Sequence, residues 1–159
     1  MGNTLACEIV PQDFALPKEQ RKWFTDVDAA FAPKDASGFE VSGAVTAIKE
    51  NIRKLHYKIL GEDLSVNDPE IERTYQLFVS AWEPGFKAIQ LPQQQDENGQ
   101  QIGEGTYLPG NCAPSYNPLT GQGLTEEERD AAAQDALYTK RAWMAVFTYL
   151  ITDYKFIYE

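Results

Sequence analysis

The feature that most constrains this chain lies in its last third. A charged start, Leu124-Thr125-Glu126-Glu127-Glu128, leads into Ala142-Trp143-Met144-Ala145-Val146-Phe147-Thr148-Tyr149-Leu150-Ile151, which is apolar on every side of a helix. Such a helix has no face to give to water and must be buried all round. The other segments, or a partner, have to wrap it. The apolar run is about half of the roughly 18–20 residues that span a bilayer, so it reads as a core helix. With 159 residues and 43% hydrophobic content, the chain suits one domain with its own core.

The rest of the pattern is helical. Residues 1–16 read as extended, with Pro11 and Pro17 as punctuation. A first helix is expected over 17–32, because Trp23, Phe24, Val27, Ala30 and Phe31 keep a 3–4 spacing and Pro33 ends it. Lys34 to Val41 reads as a linker. A second helix, 42–60, carries the seam Val45, Ile48, Ile52, Leu55 and Ile59, and Gly61 closes it. Asp68-Pro69-Glu70 announces a third helix, with an N-cap, a favoured first position and an acidic first turn, to be stopped or kinked at Pro84-Gly85, with Phe86 to Leu91 able to resume it for about a turn. The last helix is expected over 125–157, with an interruption allowed. The fold class is therefore all-α: four main helices near 17–32, 42–60, 68–83 and 125–157, with a long ordered excursion over 92–124. The Asn98-Gly99 pair in that excursion allows a small β-hairpin around 93–103. Loops this long are commonly functional when they are ordered.

Few residues suggest chemistry. His56 is the single histidine, which excludes a multi-histidine metal site, and it sits beside the apolar seam as a structural histidine would. Asp63 to Asp68 lies between helices as a calcium loop would, but it lacks the sixth-position glycine and the closing glutamate. No nucleophile elbow or phosphate-cradling glycine loop is present. Cys7 and Cys112 lack metal-like spacing. In an oxidising compartment they would pair, and in a reducing cytosol they would be two free thiols. Met1 to Ala6 begins like an N-myristoylation site but has Ala6 where Ser or Thr is required, and no signal peptide is visible. No catalytic residue, cofactor or metal follows from these signals, and the reading leans away from an enzyme.

Charge and aromatics point to partners instead. The net charge of −10 disfavours nucleic acid and anionic membrane surfaces. Residues 42–60 are net +3, and Lys49 and Arg53 on that helix are candidates to contact an acidic partner or another copy. Trp143 and Phe147, with Tyr154, Phe156 and Tyr158, form an aromatic end that would act as an interface wherever it is exposed. The expectation is a non-catalytic interaction protein, a subunit or accessory component of a larger assembly, binding a protein partner or its own kind. Two alternatives stand beside it. One is an acidic inhibitor or mimic that occupies a basic groove. The other is a ligand-binding or enzymatic domain whose site lies under the 92–124 loop, drawing on His56, Glu83, Tyr107 and Cys112. No transmembrane segment is expected; the location is left open, with an extracytoplasmic one allowed if Cys7 and Cys112 are paired.

Overall fold

The computed structural model describes residues 2–92, 94–103 and 105–153. Among these lie five α-helices: α1 (Gly2–Ala15), α2 (Ser42–Leu60), α3 (Pro69–Ile89), α4 (Glu126–Ala133) and α5 (Thr139–Ile151). A hairpin of β1 (Gln94–Gln95) and β2 (Gln101–Ile102) stands between α3 and α4. The class is mostly helical with a small hairpin, as expected, but there are five helices rather than four.

Helix α5 is the axis. Ala142, Trp143, Val146, Phe147 and Leu150 are at most 1% exposed, and α1, α2 and α3 all pack against it. Phe24 and Phe78 tilt against Trp143 at ring-centroid distances of 5.2 and 4.8 Å, and Trp23 meets Phe147 edge-on at 5.4 Å. Each such pair adds about 0.5–1.5 kcal/mol beyond the area it buries.

Two corrections fall at the N-terminal side. Residues expected to be extended form α1, with Pro11 inside the helix. An interior proline costs about 3 kcal/mol. Burial of Ala6, Val10 and Phe14, four residues apart on the face that meets α5, opposes that cost. The expected helix over 17–32 is instead a 3-10 turn, Lys18–Gln20, followed by irregular chain. Its apolar residues are buried, but its backbone is satisfied by side chains from elsewhere. The Asp13 carboxylate accepts from the amides of Lys22, Trp23 and Phe24 at 2.8, 3.1 and 2.9 Å. The fully buried Asn51 accepts from the Asp26 amide and donates to the Trp23 carbonyl, both at 3.2 Å. The Arg21 guanidinium donates to the carbonyls of Leu16 and Val27, each at 2.9 Å. A coil supplied with this many partners need not become a helix to satisfy its buried groups.

Helices α2 and α3 follow local signals. Ile48, Ile52 and Leu55 are fully buried, and Gly61 closes α2 at φ 69° with its amide donating to the Tyr57 carbonyl at 3.1 Å. The Asp68 carboxylate caps α3 by accepting from the Glu70 amide at 2.9 Å. The helix does not stop at Pro84-Gly85, and α3 runs through them to Ile89, over the turn where a resumption was expected. Gly85 is there to receive a ring. A Cβ at this position would lie 2.1 Å from Cε1 of Tyr138, whose ring is covered on another side by the Arg141 guanidinium at 4.0 Å. Tyr138 itself holds φ 61°, which a non-glycine residue rarely adopts. Gly85→Ala should therefore destabilise the fold by about 2–3 kcal/mol, more than an exposed helical alanine could gain, because the clash is with a stacked ring. Urea unfolding checks this, and an unchanged or higher midpoint would show that Tyr138 moves aside freely.

The expected helix over 125–157 is two helices. Thr125 and Glu128 cap α4 reciprocally, with bonds of 2.8 and 3.2 Å. The break at residues 134–138 is held by Asp135, a buried carboxylate that accepts from the amides of Lys140 and Arg141 and from the Arg141 guanidinium at 2.9, 3.2 and 3.0 Å. Residues beyond 153 lie outside the described structure.

The 92–124 excursion is tied down at several points. The Leu108 amide donates to the Ala133 carbonyl at 2.8 Å, and the Asp135 amide donates to the Thr106 carbonyl at 2.7 Å. Arg141 donates to the Gly105 carbonyl at 2.6 Å. Cys112 forms a disulfide with Cys7 of α1.

Candidate functional site

Among the described residues, the sequence-predicted interface residues do not form one surface. Trp143 and Phe147 are enclosed in the core, where neither can reach a partner of the folded chain. Tyr154, Phe156 and Tyr158 lie outside the described residues. Lys49 on α2 bonds the Glu72 carboxylate of α3 at 2.6 Å and covers the Tyr75 ring at 4.8 Å. Arg53 pairs with Glu50 on its own helix at 3.0 Å. Both cations are engaged in ion pairs within the chain.

The residues suggested for a site under the loop are dispersed. Cys112 is consumed by its bond to Cys7. Tyr107 pairs in an isolated bridge with Gln134, and Glu83 is clamped between Lys34 and Lys87. His56 and Cys112 line different cavities. His56 does have triad-like neighbours: Nδ1 is 2.9 Å from the Glu62 carboxylate and Nε2 is 3.0 Å from Thr74 Oγ1. Thr74, however, has no exposed surface and its hydroxyl donates to the Glu70 carbonyl within α3 at 3.0 Å. A nucleophile needs room for its substrate and for oxyanion donors, and this one has neither. The constellation is a strut that ties α2, α3 and the segment between them. Among the described residues, no group of three or more His, Cys, Asp or Glu side chains could hold a metal ion, and no helix is long and apolar enough to cross a membrane.

Two of the clefts among the described residues are formed largely by the ordered loops. The first, about 580 Å³, runs between Thr4, Glu8 and Gln12 on one face of α1 and Asn111, Ser115 and Tyr116 of the excursion. The disulfide and Met144 form its floor. Its walls are polar and apolar in similar measure, and among the described residues Glu8 is the one charged group that lines it.

The second is an open groove of about 650 Å³ lined by Phe31, Val41, Ala44, Phe86 and Leu137, with Lys34 and Asp35 at its edge. Its wall is the 34–41 segment, expected to be a linker and found to be a closed loop. Lys34 and Glu40 pair as a bridge. The Asp35 amide donates to the Phe39 carbonyl at 2.8 Å, and the Asp35 carboxylate accepts from the amides of Ser37 and Phe39 at 2.9 and 3.0 Å. Gly38 takes φ 84°, which makes the tight return. On this braced loop the Phe39 side chain is 71% exposed, and Val41 beside it is 41% exposed. Nothing in the periodicity marks Phe39. An aromatic residue directly after Ser37-Gly38, in a turn flanked by Asp35 and Glu40, was the available signal.

The loop is held to α3 through Lys34. Glu83 receives Lys34 and Lys87, each at 2.9 Å, and these two bonds hold its carboxyl down at about 2. A depressed carboxylate stabilises the fold only while it is ionised. The clamp should be complete above the ordinary value of 4.5 and be lost as pH falls through about 2. A carboxyl NMR titration of Glu83 checks this; a midpoint near 4.5 would show that the clamp is not formed in solution.

No protein-family model matches the chain, and comparison with curated proteins and with solved structures finds no match, so functional assignment rests on geometry alone.

Proposed function

We propose that this chain is a non-catalytic interaction protein, a subunit or accessory component of a larger assembly, and that it docks through Phe39 and the adjoining apolar groove. The carrying observation is a large apolar side chain, 71% exposed, on a loop already fixed by its own hydrogen bonds. Binding energy concentrates in a few aromatic anchors. An anchor ordered before binding loses little entropy on docking. The absence of an accessible nucleophile at the His56 strut favours binding over catalysis. The Cys7–Cys112 disulfide fits an oxidising, extracytoplasmic setting.

The test is the native mass of the tagged chain recovered from its source, against the same chain carrying Phe39→Ala. A stoichiometric complex is expected for the parent chain. Truncation of the anchor should weaken it by about 2 kcal/mol, roughly 30-fold, with the circular dichroism unchanged. A parent chain that elutes alone, or a complex indifferent to the substitution, would remove this reading.

A further inference from the structure

The occupant of this face can be named, on the reading that Phe39 and the groove form a docking surface. We propose that it is a second copy of the same chain, related by a two-fold axis that places Phe39 of each copy in the groove of the other. The projecting side chain and the recess belong to one patch: Asp35, which bonds Phe39, also lines the groove, as does Val41 two residues further on. A two-fold contact requires such a self-complementary patch, since each copy offers the same surface.

Charge selects the same face. At −10, two copies repel one another over much of their surface. Helix α4, with Glu126, Glu127, Glu128 and Asp130 exposed, could not meet its own copy without cost. Around the groove the two signs are balanced. Lys34 and Lys87 hold Glu83, Lys18 lies 5.7 Å from the centre of the Phe31 ring that lines the groove, and Asp35 and Glu40 carry the opposite sign. Because Lys34 and Lys87 are already neutralised by Glu83 within each copy, this rim presents little net charge, and two copies can approach here without the repulsion that α4 would meet. The groove is also open where it would have to be. Gly43 lines it, and a Cβ added there meets nothing within 4 Å.

The patch comprises few side chains, fewer than the roughly 800 Å² per partner of a tight interface would need. A weak dimer is therefore expected. Sedimentation equilibrium of the purified, oxidised chain from about 5 μM to about 1 mM tests it. The mass should rise from 17.9 kDa toward twice that value. Phe39→Ala, which removes the projecting side chain, and Gly43→Leu, which fills the recess, should each hold the chain at the monomer mass throughout. Both positions are exposed, so neither change should disturb folding. A constant monomer mass for the parent chain would overturn the inference, as would a dimer that both variants still form. If the purified chain stays monomeric but Phe39→Ala releases it from the complex in its source, the face docks a different protein. The interaction reading then survives and this inference falls.

Discussion

Replacing Cys7 and Cys112 together by serine is expected to lower the melting temperature by about 10–18 °C while leaving the native helices in place. The bond joins residues 105 apart. In the chain-entropy account, opening a loop of about 100 residues releases about 4.7 kcal/mol of freedom to the unfolded ensemble. For a chain of this size each kcal/mol moves the melting temperature by about 2–4 °C. The native state should survive at room temperature because the excursion keeps its other anchors: Leu108 on Ala133, Thr106 on Asp135 and Gly105 on Arg141. Calorimetry of the oxidised chain, the reduced chain and the double serine variant makes the comparison. The last two should melt together, well below the first. Coincident melting of all three would mean that the bond is absent from the purified protein or that the unfolded chain is constrained in another way.

Asp13→Ala should be nearly as damaging through a different mechanism. The carboxylate is 5% exposed and is the shared acceptor for three consecutive amides. Removing it strands those amides at the edge of the aromatic cluster, where Phe24 stacks on Phe14 at 4.6 Å. Each unsatisfied buried amide costs about 1–3 kcal/mol, and water can relieve the outermost at Lys22, so about 3–5 kcal/mol is expected in all. Asp13→Asn keeps one acceptor oxygen but turns an NH₂ group toward the same amides, so it should recover only part of the loss. Urea midpoints for the three chains give the order parent, Asn, Ala. An alanine variant within about 1 kcal/mol of the parent would show that the 16–41 coil does not depend on this carboxylate.

These two results bear on what could be read from the residues. Helix α2 was legible to the residue, and the start of α3 and the Thr125–Glu128 cap were legible as well. Each depends on neighbours within one or two turns: an apolar seam, an Asp-Pro pair, a reciprocal cap, a closing glycine. Helix α1, the 16–41 coil and the break between α4 and α5 were not legible, because distant side chains decide them. Trp23, Phe24 and Val27 have helical spacing, yet Asp13, Arg21 and Asn51 bond the backbone of a coil. Gly85 carries a helix breaker's reputation, and only the ring of Tyr138 explains why it lies inside α3. The candidate site was less legible still. Lys49 and Arg53 were visible as basic residues, but their partners Glu72 and Glu50 were not assignable. Phe39 is conspicuous only once Asp35 is seen to brace its loop.

The enclosure of α5 by three helices that precede it also matters for vectorial synthesis. While α1, α2 and α3 leave the ribosome, the helix that joins them has not yet been made. Their faces that meet α5 must wait for it, about 50 residues of synthesis for α3 and more than a hundred for α1. Cys7 waits almost as long for Cys112. Until Cys112 emerges, oxidation of Cys7 can only join it to another molecule's thiol or leave it as a sulfenic acid. Holding chains of this kind apart until Ile151 has emerged is therefore a task for the cell's chaperones, and recombinant yield should depend more on that delay than on the stability of the finished fold.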